Sequence, residues 1–371
     1  MSHPSIELSK WQKKQAWLLY YFSSLAYLKR VKNLVDRLVE FSSRALEVAA
    51  TENRDSTLRN SRWGDRNTSQ NWGNNAWSFL ADFQQSLAKD IARRSFEEFG
   101  VTGSNQCTRG MSEYSMEWTT AAEQESFDNL LAEVSEMARK IDYTMSKFGV
   151  KSKWTDYGLA MAWNDIGSEF VEIAKMKVRE DVFAETGTVP VRTGVYVCAT
   201  DPNAALQFAW TGGSGGRLLE ASTFNTLGEA ALSSVGRSNL WLNGQKMLDF
   251  VNEHITNSNL QEEVDLDYSR TAVLAPSLVA RHAFTSKPCR WYFIEMIHDE
   301  METLDDEMDE APPMVTRSAR FEAGTYCRAA GFYFTPAKGD SRRFFQQNEL
   351  FPDEDSVYGA TIWQFDDYQQ S

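Results

Sequence analysis

The feature that most constrains this fold is a change of rhythm near residue 190. Upstream, apolar residues recur at spacings of three and four: Leu18, Phe22, Leu25, Leu28, Val31, Val35, Leu38, Phe41, Ala45 and Val48 make one continuous stripe. It predicts a single long amphipathic helix over residues 5–50. The polar segment 51–73, with Arg54, Arg59, Arg62 and Arg66, reads as a loop. A second helix is expected over 74–99, ended at Gly100. A third is expected from Thr119 or Thr120 to Phe148, because Thr120 and Glu123 stand at capping-box spacing. A fourth, over 157–180, would carry Met161, Ile166, Phe170, Ile173 and Met176. Four such helices suffice to bury one another as a bundle.

From residue 189 to 216 the period shortens to two. Residues 195–198 and 206–210 read as strands joined through the turn Asp201-Pro202-Asn203. The pattern returns near the C-terminus, where Gly331-Phe332-Tyr333-Phe334 matches Gly194-Val195-Tyr196-Val197 in its order of features. Between the two units, a helix is expected over 224–235, broken by Gly228 and ended by Gly236, and another over 243–256. The apolar runs 272–284 and 290–297 fit strand or helix alike, and 357–365 is a last strand. The expected class is therefore α+β: an N-terminal helical bundle over residues 1–184, then an acidic α+β domain over 185–371 containing two similar β units, with the junction at 185–190.

A chain of 371 residues that is 42% apolar can fill one large core or two. Its net charge of -14 is uneven: residues 1–180 hold 24 Lys+Arg and 24 Asp+Glu, so the excess lies wholly beyond them. An acidic field of that kind repels nucleic acid and lipid headgroups and speeds encounter with a basic protein. Direct nucleic-acid and membrane binding are disfavoured. The cysteines, Cys107, Cys198, Cys289 and Cys327, are dispersed without a C-x-x-C pair and read as thiols in a reducing compartment. The apolar run 16–28 is too short to span a bilayer, and Lys29, Arg30 and Lys32 follow where a signal cleavage site would need small residues. A cytoplasmic protein is expected, with no cofactor.

Few constellations carry chemistry. Gly212-Gly213-Ser214-Gly215-Gly216 matches G-x-S-x-G formally, so a serine hydrolase using Ser214 with His254, His282 or His298 is an alternative. However, a helical bundle stands where a hydrolase would have its sheet. A flexible hairpin tip explains the glycines as well. His298 beside Asp299 and Glu300 lacks the convergent spacing of a metal site. Residues 298–310 hold eight carboxylates, Asp299, Glu300, Glu302, Asp305, Asp306, Glu307, Asp309 and Glu310, and Asp353, Glu354 and Asp355 extend the polarity. These eleven are the candidate partner-binding residues, weighed against an ordinary solvated surface. Trp210, Trp241, Trp291 and Trp363 lie in apolar context and read as core.

The second β unit, with Gly331-Phe332-Tyr333-Phe334-Thr335-Pro336-Ala337-Lys338, Ser341-Arg342-Arg343-Phe344-Phe345, Pro352 and Gly359-Ala360-Thr361-Ile362-Trp363, resembles the C-terminal signature of the polymorphic-toxin immunity proteins catalogued as families seventy-one and seventy-two. The first, with Val189-Pro190, Thr193-Gly194-Val195-Tyr196, Asp201-Pro202, Gln207-Phe208-Ala209-Trp210, Gly228, Gly236-Arg237 and Leu240-Trp241, is similar to the upstream half of that region. Cys327-Arg328 stands where such proteins often carry Cys-Pro, and Tyr333 where Trp is frequent. The resemblance covers about half the chain and transfers no catalytic residues. It implies a non-enzymatic bacterial immunity protein that binds and neutralises a cognate toxin delivered by contact-dependent or type VI secretion. A basic toxin such as a nuclease would suit the acidic half. A scaffold that forms a homo-oligomer is the remaining alternative.

Overall fold

The N-terminal apolar stripe is kept, but the helix that carries it turns a corner. Helix α1 (Lys10–Ser23) opens with a capping box between Ser9 and Gln12, and α2 (Leu25–Thr51) begins two residues after α1 ends. Ser24 lies between them in extended backbone, with φ -69° and ψ 149°. Its hydroxyl accepts the Tyr27 N–H to start α2, while its own N–H still donates to Tyr21 O, so both helix ends are served by one residue. The expected single helix over 5–50 is therefore two. The corner lets Leu18, Leu19 and Phe22 on one side and Leu28, Val31, Val35 and Leu38 on the other enter the same core, and leaves Leu25 exposed at the bend.

The second expected helix is α4 (Trp77–Arg93), followed by one 3-10 turn at Arg94–Phe96, and a short helix α3 (Ser69–Asn75) lies mostly in the segment expected as a loop. Helix α5 (Ser104–Met111) was not foreseen. Helix α6 (Ala121–Met145) begins at the Thr120–Glu123 capping box that the spacing predicts and ends short of Phe148.

The largest correction falls on residues 157–180. Helix α7 (Asp156–Ile166) occupies only the first part, and the chain then enters a long strand, β1 (Glu172–Glu185). Its partner is β6 (Arg290–Thr303), paired antiparallel from Glu172 opposite Thr303 to Glu185 opposite Arg290, with two register shifts. With β2 (Gly194–Cys198) and β3 (Gln207–Ala209), the expected hairpin, they form a sheet in the order β1-β6-β2-β3. All five residues of β2 are buried because the sheet is covered on both faces. Val195, Val197 and Ile294 join the core of the helices, while Tyr196, Cys198, Trp291 and Phe293 point the other way into a second cluster.

Strand β4 (Ala221–Phe224) pairs with β5 (Phe284–Lys287). Around that pair, helices α8 (Thr226–Val235), α9 (Gly244–Glu253) and α10 (Ala275–His282) close a third core with Phe224, Leu240, Trp241 and Phe250. Gly228 does not break α8; a Cβ there would stand 2.4 Å from the Ala283 carbonyl, so the glycine permits close packing. The two undecided apolar runs resolve as α10 and as part of β6.

The computed structural model describes residues 6–254, 271–304, 320–327, 331–335, 338, 341–346, 349–353 and 361–365. The chain forms two compact units, Met1–Val235 with Leu240–Asp305, and Gly236–Asn239 with Asp306–Ser371. The expected junction at residues 185–190 begins where β1 ends and lies within the first unit. In the second unit β7 (Arg320–Glu322), β8 (Gly331–Phe334), β9 (Arg343–Phe345) and β10 (Ile362–Phe365) form an antiparallel sheet in the order β7-β10-β8-β9. Its core is Cys327, Tyr333, Phe345, Phe351 and Trp363. Helices concentrated toward the N-terminus and antiparallel sheets after them make the protein α+β.

Candidate protein-binding rim

Trp210, at the end of β3, is the post around which one edge of the first unit is built. It is buried, 5.5 Å from the Phe99 ring and 6.1 Å from Phe208, and the Lys147 amine lies 5.4 Å over its face. The chain then folds back over it: Trp210 N–H donates to Gly216 O, and a Cβ on Gly216 would collide with the Trp210 carbonyl. Gly212 packs as closely on the backbone of Phe96 and Glu97, which a Cβ would approach to 2.6 Å and 2.4 Å. These two glycines are needed for close approach, and the loop they form is held rather than loose.

Three polar clasps fix this loop to its neighbours. The Glu97 carboxylate accepts from Thr193 Oγ1 at 2.8 Å and from Thr211 Oγ1, and these hydroxyls hold its pKa below the usual carboxylate range, Thr211 contributing most. Glu97 itself has φ 54°, the left-handed region, which turns Phe96 outward and Phe99 inward. On the other side Arg217 Nη2 donates to the carbonyls of Lys147 and Gly149. Lys147 Nζ donates to Phe208 O at 2.7 Å; burial, and secondarily the nearby Arg217, lower its pKa to about 7.

Residues next to this clasped loop leave large apolar side chains mostly exposed. Phe148 is 77% exposed, Phe96 74%, Val191 73% and Val150 66%. Phe99 also lines a groove of about 400 Å³ with Ser23, Leu25, Ile91, Arg94 and Ser95, beside the corner between α1 and α2. Arg94 stacks over Phe99 at 4.0 Å and donates to Ser23 O at 2.9 Å. Burial lowers the Arg94 pKa to about 10 and raises that of nearby Asp90 to about 6. Asp142, which accepts from the Thr102 N–H at 2.5 Å, is raised for the same reason. The result is an apolar, partly cationic ledge on fixed backbone, the arrangement of an interface anchor.

Ser214 lies in a 3-10 turn, Ser214–Gly216, that leads to β4; a nucleophile elbow needs a strand-to-helix turn. His254 stacks on Phe250 at 4.1 Å, with its Nδ1 3.0 Å from Phe250 O. Among the described residues no group of three or more His, Cys, Asp and Glu could hold a metal ion, and no helix is long and apolar enough to cross a membrane.

The predicted acidic surface is placed in part. Asp299, Glu300 and Glu302 lie in β6, and the last two are engaged within the chain: Lys175 meets Glu300 at 3.0 Å and Lys13 meets Glu302 at 2.7 Å. Asp299 is exposed with φ 67°. Asp353 accepts from Thr361 Oγ1 at 2.6 Å. Asp305, Asp306, Glu307, Asp309, Glu310, Glu354 and Asp355 lie outside the described residues. Sequence reasoning missed the ledge because it placed Phe99 and Phe148 inside helices. The two Phe-Gly pairs, Phe99-Gly100 and Phe148-Gly149, were the available signal.

Comparison of the chain with family models, curated proteins and solved structures found no match, so the resemblance to immunity proteins stands on the quoted residues alone.

Proposed function

We propose that this chain is a bacterial immunity protein that binds a cognate toxin and neutralises it by occlusion. The observation that carries a binding role is the ledge itself: Phe96, Phe148, Val150 and Val191 exposed around a loop whose backbone is clasped at Glu97, Trp210 and Arg217. Large apolar side chains on pre-organised backbone lose little entropy on association and become the desolvated centre of an interface. The net charge of -14 has a different task. It acts at long range and steers a basic toxin, such as a nuclease, toward the chain; two of the described carboxylates of the acidic run are already paired and contribute little at contact. Delivery of that toxin by contact-dependent or type VI secretion follows from the resemblance, as does a cytoplasmic site of action.

The test is co-expression with the product of the adjacent upstream gene. Rescue of growth and co-purification of a complex is the expected result. A neighbour shown to be toxic, with neither rescue nor complex, would overturn the proposal.

A further inference from the structure

Four thiols are present, and two of them meet. Cys198 ends β2 opposite Trp291, and the next rung is the Ala199 N–H to Arg290 O at 2.9 Å. Continuing the ladder brings Thr200 opposite Cys289, so Cys198 and Cys289 lie diagonally on one face of the sheet. Cys289 packs against the cluster containing Cys198, Tyr196 and Trp291. Cys289 is held in place by Thr186, whose hydroxyl receives its N–H at 3.0 Å and whose N–H and hydroxyl both donate to its carbonyl at 3.1 Å.

The Cys198 sulfur lies 3.8 Å from Thr200 Oγ1, at the point where the chain leaves the ladder. The Cys289 hydrogen bond first, then the Thr200 and Asp201 donors, outweigh burial and lower its pKa to about 6. Cys289 is driven the other way by the same bond, by burial, and by the charges of Cys198, Asp201 and Glu185. The pair therefore consists of a buried thiol whose ionisation is favoured and a partly exposed thiol on the same face of the sheet.

We propose that Cys198 and Cys289 are a peroxide-reactive dithiol that closes to an intramolecular disulfide. The Cys198 thiolate attacks one oxygen of hydrogen peroxide or a small alkyl hydroperoxide, the O–O bond breaks, and the leaving oxygen takes a proton to depart as water or alcohol. Cys198 becomes a sulfenic acid. The Cys289 sulfur then attacks the Cys198 sulfur, the S–O bond breaks, and the hydroxide leaves as water with the proton from Cys289. Two thiols are oxidised by two electrons and the peroxide is reduced by two. The bond ties the end of β2 to the start of β6, and a thiol reductant reverses it. This inference does not rest on the immunity role.

The experiment uses the full reduced chain, treated with equimolar hydrogen peroxide at pH 7, quenched with iodoacetamide and mapped by mass spectrometry. The expected product has lost two hydrogens and contains a peptide linking Cys198 to Cys289. Cys107 serves as internal control, since burial pushes its pKa up to about 12. Oxidation at Cys198 should outpace that at Cys107 by at least about tenfold. In Cys289→Ser, which keeps a donor at that position but cannot close the disulfide, the sulfenic acid on Cys198 should accumulate and be captured by dimedone. Equal rates at Cys198 and Cys107, or oxidation without the linked peptide in the wild-type chain, would overturn the proposal.

Discussion

Strands β2 and β8 both begin at a glycine and both lead an antiparallel hairpin, with Gly194 facing Ala209 in the first and Gly331 facing Phe345 in the second. The residues that follow the two glycines alternate alike, yet the hairpins are stabilised by different means. The first is clad on both faces, by the helical core behind Val195 and Val197 and by the cluster around Tyr196 and Cys198. Even its turn is tied to a helix: Gln15 on α1 accepts the Leu206 N–H at 3.1 Å and Gln12 donates to Pro202 O at 3.2 Å. The second hairpin packs on a handful of rings close in sequence, with Phe345 4.9 Å from Trp363 and 4.7 Å from Phe351. A local pattern thus specifies a hairpin, while the surroundings decide whether it becomes the centre of a large core or a small aromatic one.

The comparison can be broken most severely in the second unit. Trp363 is fully buried, and its Nε1 donates to Pro352 O at 2.9 Å. Trp363→Ala should destabilise that unit by about 3–5 kcal/mol. Hydrogen exchange should then show lost protection in β8, β9 and β10 with protection retained in β2 and β3.

For the first hairpin, the sensitive point is its distant support. Asp156, at the start of α7, accepts from Trp11 Nε1 at 2.6 Å and from Trp241 Nε1 at 2.8 Å, and it receives Gln15 Nε2 at 3.4 Å. Asp156→Ala should cost about 1–3 kcal/mol for each indole left without its acceptor. Denaturant unfolding would measure the loss, and exchange should accelerate around Leu206.

Gly194→Ala is the next smaller effect. Its Cβ would meet the Phe293 ring at 2.5 Å and the Tyr20 hydroxyl at 2.8 Å, and overpacking of this kind costs about 1–3 kcal/mol. A shift in the denaturant midpoint with an unchanged slope is expected.

The smallest effect concerns pH and the helices behind the first hairpin. Because burial raises the Asp90 pKa from 3.8 to about 6, the folded state takes up a proton that the unfolded state releases at lower pH. Stability should therefore fall as pH rises from about 4 through about 6. Asp90→Asn should flatten that part of the stability profile, measured by denaturation at each pH.

Much of the local structure was legible in the sequence, and the long-range structure was not. The Thr120–Glu123 capping box and the hairpin turn at 201–203 depend on neighbours within a few residues, and both were readable. Residues 157–180 misled because Met161, Ile166, Phe170, Ile173 and Met176 satisfy a helical spacing, whereas Ile173 and Val178 are buried as members of a strand whose partner begins over a hundred residues later. Ser24 had no neighbouring Gly or Pro to announce a corner. The eleven carboxylates were conspicuous as charge, but a sequence does not reveal that Lys13 and Lys175 reach two of them. Conversely, Phe96 and Phe148 look like core residues until the chain around Trp210 leaves them outside.

The most direct measurement is the affinity of the purified chain for its cognate toxin before and after Phe148→Asp, with Asp299→Lys for contrast and circular dichroism to verify folding. Binding through the ledge predicts at least about a tenfold weaker complex for Phe148→Asp, mostly through faster dissociation. Asp299→Lys should alter mainly the salt-sensitive association rate. An unchanged affinity in a folded Phe148→Asp protein would contradict the assignment of the ledge as the toxin-binding surface.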